Sequence, residues 1–85
     1  MQTISYKIKD QIGIHARPAG ELIKKAKEFK SDMTIEKSGN KTDLKKLFAV
    51  LKLGVKCDDT VEITIDGEDE VQAAAALKDF LEANL

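Results

Sequence analysis

A single proline, Pro18, constrains how this chain can fold more than any other residue. Proline has no amide hydrogen to donate and its φ is already close to the helical value, so within a helix it fits mainly in the first turn. Apolar and polar side chains alternate over residues 4–9, whereas apolar side chains recur at helical spacing over residues 16–29. The sequence therefore predicts a strand, a short connection and a helix that begins near residue 16.

The connection, Gly13–Pro18, contains the only histidine and the only arginine of the chain. The first residues of a helix carry amide groups without intrahelical partners, and the helix dipole adds partial positive charge there. In that setting His15 is expected to stay neutral and nucleophilic, and negative charge added to its ring would be stabilised. Arg17 offers a planar, permanently charged guanidinium that suits phosphate oxygens, and Gly13 permits a tight turn or a close backbone approach.

Two interpretations of this connection follow from the residues alone. In the first, His15 accepts a phosphoryl group and Arg17 stabilises its charge. In the second, His15 merely caps the helix and Arg17 is an ordinary surface residue. One histidine beside one arginine does not distinguish them, so both stay open at this point.

The helix that follows has two faces of different chemistry. Its apolar side chains are expected in the core and comprise Leu22, Ile23, Ala26 and Phe29. A separate polar face begins beside His15 and comprises Arg17, Gly20, Lys24 and Lys27. This polar face is a candidate surface for docking a partner protein.

Length and composition limit the functions open to this chain. Its 85 residues suffice for one modest core, so we expect a single domain over residues 1–85 without the deep pocket of a conventional enzyme. No apolar run approaches the roughly 20 residues of a membrane span and no signal-peptide pattern opens the chain, which predicts no membrane insertion. The only cysteine, Cys57, has no partner for an internal disulfide and favours a reducing, cytoplasmic location.

Charge is distributed unevenly along the chain. Residues 1–56 carry 13 basic and 6 acidic side chains, a net +7, whereas residues 57–85 carry 1 basic and 9 acidic side chains, a net −8. A basic surface favours an acidic partner because complementary potentials raise association rates and select partners, although solvated charge without a partner would give the same pattern. Nucleic acid is not expected as the partner, because the four aromatic side chains are scattered and no RNA-binding motif is present.

Two more helices are predicted in the second half of the chain. Residues 44–53 are mostly apolar and fit a short helix. Thr42 and Asp43 are its candidate N-caps, and Gly54 is expected to end it. The acidic run 68–70 is interpreted as stabilising the start of the last helix, in preference to a metal site. The apolar face of that helix comprises Val71, Ala74, Ala75, Leu77, Phe80 and Leu81.

Three further strands complete the pattern. Alternating apolar and polar side chains predict strands over residues 32–37 and 61–65. Between them, Ser38–Asn40 has the composition of a hairpin turn that leads into a short strand around Lys41. The order βαββαβα predicts a two-layer α+β domain in which helices pack on one face of a four-stranded antiparallel sheet.

Three segments resemble the HPr family, the phosphocarrier proteins of the bacterial phosphoenolpyruvate-dependent sugar phosphotransferase system. They are Gly13–Ala19, Leu47–Gly54 and Gly67–Glu70, in the family's order and spacing and in a chain of matching length. The resemblance implies an HPr-like open-faced sandwich with strand order 1-4-2-3 and three helices on one face of the sheet.

The resemblance also implies a function for the connection. His15 would accept a phosphoryl group on Nδ1 from phosphorylated enzyme I and pass it to the IIA domain of a sugar permease. Arg17 would steady the phosphate, and the first amides of the helix, at Ala16 and Arg17, would lie near it, with Pro18 in the same turn. Such a protein is a monomeric carrier and not an enzyme, and it uses no cofactor and no metal.

A docking patch beside His15 is likewise implied by the resemblance. It joins the polar face of the first helix to apolar residues of the second, and it comprises Gly20, Lys24, Lys27, Leu47, Phe48 and Leu51. Many relatives from low-GC Gram-positive bacteria carry a regulatory serine just before this second helix, where Lys46 stands here. Lys46 offers no hydroxyl to a kinase and, with Lys45, is expected to extend the basic face.

Two alternatives to the sugar carrier stay open. One is a regulatory HPr paralogue of a nitrogen-type phosphotransferase branch, whose phosphorylation state is read by another protein. The other is a binding module with the same fold in which His15 is never phosphorylated. The combination of His15, Arg17 and Pro18 argues against the second alternative.

Overall fold

The computed structural model describes residues 1–11, 13–14 and 16–85, so Ile12 and His15 lie outside the described residues. The strands are β1 Gln2–Lys7, β2 Asp32–Lys37, β3 Asn40–Asp43 and β4 Thr60–Asp66. The helices are α1 Ala16–Lys27, α2 Leu47–Lys52 and α3 Glu70–Asn84. The strands form one antiparallel sheet in the order β1-β4-β2-β3, which confirms the predicted α+β open-faced sandwich.

Cross-strand pairing places the apolar residues of the sheet on one face. Ile63 of β4 lies opposite Ile4 of β1 and Ile35 of β2, and paired residues of antiparallel strands project to the same side. Thr34 and Thr64, also paired, project to the other side. The helices bury the apolar face with side chains that include Leu22, Ile23, Ala26, Val50, Leu77 and Leu81.

The first strand ends at Lys7, two residues earlier than predicted. The amide of Ile8 donates to the carbonyl oxygen of Asp59 at 2.9 Å, whereas the next two amides both donate to Leu85 O, at 2.6 and 2.9 Å. The chain leaves the sheet here because its hydrogen-bond partners now belong to the turn before β4 and to the end of α3.

The first helix ends at Lys27 and the prediction of 16–29 was too long. The amide of Phe29 donates to Ala26 O at 3.2 Å, three residues back, which is the tight turn common at helix ends. Phe29 is still half-buried against the core, as its place in the apolar stripe predicted.

The second helix begins later than its predicted caps. Its N-cap is Lys46, in an extended conformation and without a side-chain capping bond, so the prediction of Thr42 or Asp43 was wrong. The carboxylate of Asp43 instead accepts the amide of Lys45 at 2.9 Å in the turn that precedes the helix. Gly54 adopts φ +64° and donates to Leu51 O, which confirms it as the residue that ends α2.

The last helix buries only part of the predicted stripe: Leu77 and Leu81 are buried, and Ala74 and Phe80 are partly buried against the core. Its buried residues are Ala73, Leu77 and Leu81, which recur every four residues. Val71 is 64 % exposed and Ala75 is exposed, so both were wrongly assigned to the core face. Alanines crowd this segment and obscure the phase of the helix. Neither α3 nor any other helix of the described ranges has the length and apolar content to span a membrane.

The β2–β3 hairpin has the turn that its sequence predicts. Ser38 and Gly39 adopt φ values of 52° and 85°, which is the left-handed pattern of a two-residue turn whose twist matches the strands. Lys37 pairs with Asn40 directly across the turn. The hairpin therefore fixes Lys37 at the end of β2.

Candidate functional site

The connection before α1 reaches the helix by a close backbone approach. Gly13 has φ +81° and donates its amide to Asp10 O at 3.0 Å. A Cβ atom on Gly13 would overlap Val55 O and lie 2.6 Å from Lys56 Cα. Only glycine fits here, which confirms the prediction of a tight turn with a close approach. The next amide, of Ile14, donates to Val55 O at 3.0 Å.

Residues 54–59, here called the support turn, are the part of the chain against which Gly13 and Ile14 rest. The support turn contains two residues with positive φ, Gly54 at 64° and Asp58 at 72°. The amide of Asp58 donates a hydrogen bond to Ile8 O, just after β1, at 2.8 Å. Backbone hydrogen bonds thus hold Ile14 on the support turn, and they hold Lys9 and Asp10, just before the connection, on Leu85 at the end of α3.

An ion pair that the sequence did not suggest lies behind the support turn. Lys37 Nζ is 3.0 Å from Asp59 Oδ2 and donates to Gly54 O at 2.8 Å. The same Asp59 carboxylate accepts the amide of Lys56 at 2.8 Å. These two donors, the Lys56 amide first and the Lys37 ammonium second, hold the pKa of Asp59 below its usual value.

The start of α1 presents donors and positive charge at the protein surface. Ala16 and Arg17 lie in its first turn, where amide groups have no intrahelical acceptor, and Pro18 is buried behind them. The Arg17 side chain is 88 % exposed, and its Nε lies 4.0 Å from the Glu21 carboxylate. Arg17, Pro18 and Glu21 line a groove of about 330 Å³ with Asn84 of α3. His15 directly precedes Ala16 in the sequence but lies outside the described residues.

The predicted docking residues are only partly exposed. Lys24 and Lys27 are exposed on α1, and Gly20 is half-buried with open space where a side chain would be. Helix α1 packs beside α2, where Phe48 is 79 % exposed. Leu47 and Leu51 are half-buried and pack against the core, so Phe48 alone of the three apolar docking candidates is largely exposed. A short helix places its apolar residues around much of its circumference, and here only Phe48 projects fully into solvent.

Lys45 does not extend the basic face, although the sequence suggested that it would. Its ammonium donates to the carbonyl oxygens of Phe29 and Ser31, at 3.0 and 2.8 Å. Lys46 is exposed. The two neighbouring lysines therefore have different roles, and sequence alone could not separate them because the acceptors of Lys45 lie 14 and 16 residues away.

The acidic run before α3 also has a partner that the sequence did not reveal. Asp69 makes no side-chain cap on its own helix. Its carboxylate accepts the hydroxyl of Ser31, the amide of Ser31 at 3.0 Å and the amide of Lys30 at 2.8 Å. These bonds, led by the Ser31 hydroxyl, lower the pKa of Asp69. Across residues 1–11, 13–14 and 16–85, no group of acidic, histidine or cysteine side chains has the arrangement of a metal site.

Comparison with known proteins gives a consistent result. Residues 2–83 match the family model described as the phosphorylation site of the HPr component of the phosphotransferase system. The chain is 42 % identical over 78 residues to the phosphocarrier protein HPr of Mycoplasma genitalium, which covers 91 % of this chain and 89 % of the relative.

Solved structures of similar proteins share the fold over nearly the whole chain. The histidine-containing phosphocarrier protein of a mycoplasma is 34 % identical, with a TM-score of 0.93 over 96 % of this chain and 93 % of the other. HPr-C-His of Thermoanaerobacter tengcongensis is also 34 % identical, with a TM-score of 0.93 and coverage of 98 % and 93 %. An HPr dimer from the same organism aligns with a TM-score of 0.78, covering 98 % and 95 %.

Proposed function

Because the chain belongs to the HPr family of phosphocarrier proteins of the phosphotransferase system, we propose that it carries a phosphoryl group on Nδ1 of His15. The donor is phosphorylated enzyme I and the acceptor is the IIA domain of a sugar permease. The observation that carries this proposal is the start of α1 at Ala16, immediately after His15 in the sequence, with Arg17 exposed in the same turn.

Phosphoryl transfer at this site needs few catalytic groups. The bond between phosphorus and the donor breaks as the lone pair of Nδ1 forms a bond to phosphorus. In the second transfer, the bond between phosphorus and Nδ1 breaks as the acceptor forms its own bond to phosphorus. Catalysis then depends on positioning and on stabilising the charge of the phosphoryl oxygens. The free amides and the partial positive charge at the start of α1 supply part of that stabilisation, and Arg17 supplies a full charge.

Arg17 is free to serve the phosphoryl group. Its contact with Glu21 is long, at 4.0 Å, and both side chains are largely exposed, so the pair is screened by water. A phosphoryl group offers the guanidinium two parallel, charge-assisted hydrogen bonds in place of this contact. Phosphorylation should therefore draw Arg17 away from Glu21 at little energetic cost.

Partners dock, in this proposal, on the surface formed by α1 and α2. Phe48 is the apolar anchor, and the exposed charges of Lys24 and Lys27 set the association rate with acidic partners. Gly20, Leu47 and Leu51 line the same surface. One histidine that meets several partners calls for small and transient interfaces. We propose a cytoplasmic, monomeric single domain, although one similar HPr is a dimer.

The exposed Lys46 stands where many relatives carry a regulatory serine, so one level of control is absent from this chain. It carries no hydroxyl, so the serine-directed HPr kinase has no substrate at this position. A phosphoserine would place about two negative charges on this surface and repel acidic partners. The chain is therefore proposed to be competent for transfer at all times.

Labelling from phosphoenolpyruvate tests the proposal. Incubation with enzyme I should add one phosphate per chain, labile in acid and stable in base, and addition of a sugar-permease IIA domain should remove it. A His15→Ala variant should take up no label. Equal labelling of that variant and the wild type would contradict the proposal, and a label that no IIA domain removes would favour the regulatory alternative.

A further inference from the structure

The support turn is an irregular segment that depends on one side chain from the sheet. Residues 54–59 form no strand or helix, and Asp58, which is not glycine, has a positive φ of 72°, which side chains rarely adopt. The Lys37 ammonium bonds to Gly54 at the first position of the turn and to Asp59 at the last. One charged group from the end of β2 therefore ties both ends of the turn together.

The same turn holds the backbone just before His15. Val55 O is the acceptor for the Ile14 amide, and Gly13 packs against Val55 and Lys56 with no room for a Cβ atom. Val55 itself is 2 % exposed. A displacement of the support turn would therefore move the acceptor of Ile14 and the surface on which Gly13 rests.

We propose that Lys37 and Asp59 are a positioning pair for phosphoryl transfer, which act through the support turn to fix the residues directly before His15. This inference rests on the proposed function and names residues that it does not include. Neither side chain is proposed to touch the phosphoryl group. Their effect is on geometry, to which transfer reactions are sensitive, since a misplacement of about 1 Å can cost a factor of about 100 in rate.

The Lys37–Asp59 pair is less exposed to solvent than the Arg17–Glu21 pair. The side chains of Lys37 and Asp59 are 20 % and 32 % exposed, compared with 88 % and 52 % for Arg17 and Glu21. Each partner also has a backbone bond, to Gly54 O and from the Lys56 amide respectively, so the geometry is fixed twice. Both donors favour the charged carboxylate, which lowers the pKa of Asp59.

The kinetic test compares four variants as substrates of enzyme I. Lys37→Met should lower kcat by about tenfold or more with KM unchanged within about twofold, because the docking surface is untouched. Lys37→Arg should keep most of the wild-type rate, since a guanidinium can reach both Gly54 O and Asp59 Oδ2. The control is Lys41→Met, which removes an exposed lysine of β3 in the same hairpin and should behave as the wild type. Asp59→Asn, which keeps an acceptor for the Lys56 amide, should lower kcat less than Lys37→Met.

Amide hydrogen exchange gives a second readout that does not need enzyme I. In Lys37→Met, the Ile14 amide should exchange faster relative to wild type, whereas the core amide of Ile63 should not change. A wild-type kcat for Lys37→Met, or equal loss in Lys37→Met and Lys41→Met, would overturn the inference. If the wild type itself accepts no phosphate, the proposed function fails, and the exchange at Ile14 still decides whether the pair positions the connection. If Lys37→Met does not fold, the kinetics and the hydrogen exchange are measured on Asp59→Asn instead.

Discussion

At one end of the sheet, where Asp32 pairs with Asp66, the loops are held by side chains, whereas at the other end, where Lys7 pairs with Thr60, they are held mainly by backbone hydrogen bonds. The first, here the latch end, comprises residues 28–31, 43–45 and 66–70. The second, the site end, comprises residues 8–11, 13–14 and 54–59 with Leu85.

The latch end is built around charged side chains that form hydrogen bonds with buried polar groups. Ser31 is 1 % exposed, and the Asp69 carboxylate satisfies both its hydroxyl and its amide. Lys45 satisfies Ser31 O and Phe29 O from the other side. Such bonds are costly to break because they leave buried groups without partners, so this end should determine stability and its pH dependence.

The site end makes its contacts through backbone amides and carbonyls, with the Lys37–Asp59 pair as its charged side-chain support. These backbone contacts fix the geometry of Gly13 and Ile14. Under the proposed function, substitutions at the site end should therefore lower the transfer rate, whereas substitutions at the latch end should change stability alone.

A matched pair of glycine substitutions should separate the two ends most strongly. A Cβ on Gly13 meets Val55 and Lys56, and a Cβ on Gly67 would lie 2.6 Å from Ser31 Cα. Gly13→Ala and Gly67→Ala should each destabilise the fold by about 1–3 kcal/mol in urea unfolding. Only Gly13→Ala should also lower the rate of phosphoryl acceptance, by about tenfold or more. A rate loss of the same size in Gly67→Ala would show that the ends are not separable.

Acid should weaken the latch end through Asp69. Because its pKa is lower in the folded state than its ordinary value of 3.8, Asp69 contributes stability that is fully present above that value. This contribution is lost as the pH falls through the folded-state pKa. Asp69→Asn should therefore be less stable than wild type at pH 7, and the difference should shrink as the pH falls below 3.8. Urea unfolding across this range measures it, with Glu68→Gln as a control for the loss of one negative charge. A difference that stays constant with pH would contradict this role for Asp69.

Phe48 belongs to a third region, α2, which lies at neither end of the sheet. Its substitution tests whether this region serves in docking. Phe48→Ala should weaken binding to enzyme I by more than about 1 kcal/mol, the size expected of an interface hot spot, with little effect on stability. Val71→Ala, at a similarly exposed apolar side chain on α3, should leave binding unchanged. Titration calorimetry measures the binding of both variants to enzyme I. Equal effects of the two substitutions would contradict the proposed docking surface.

The smallest expected effect concerns Lys46, the N-cap of α2. Its backbone is extended and its side chain makes no capping bond, so Lys46→Ser should stabilise the helix by about 0.5–1 kcal/mol. Exposed to HPr kinase and ATP, the wild type should take up no label, whereas the variant offers the kinase a serine. Labelling of the wild type at a neighbouring hydroxyl such as Thr42 would show that control by phosphorylation survives without a serine here.

Much of the fold could be predicted because its signals are local. Alternation gave the strands, the composition of Ser38–Asn40 gave the hairpin, and Gly54 gave the end of α2. At the site, Gly13 and Pro18 predicted the close approach and the start of α1. Strand order came from resemblance to a family, since periodicity carries no information about which strands pair.

Two of the remaining features depend on partners distant in sequence, and a third depends on a local turn. Asp69 and Ser31 are 38 residues apart, and either residue alone reads as an ordinary cap or loop residue. Lys37 is one of many lysines, and only the packing of the support turn brings it to Asp59. The N-cap of α2 was misplaced because Asp43 uses its carboxylate in a turn that local rules do not distinguish from a cap.

The most direct test of the central claim uses the fact that the chain has one histidine. Protein labelled with ¹⁵N only in histidine gives the signals of a single imidazole, and phosphorylation by enzyme I and phosphoenolpyruvate should add a one-bond phosphorus coupling to Nδ1. The coupling is expected on Nδ1, at one phosphate per chain, and it should disappear when a IIA domain is added. Phosphate incorporation without any coupling to the ring, or coupling to Nε2, would contradict it.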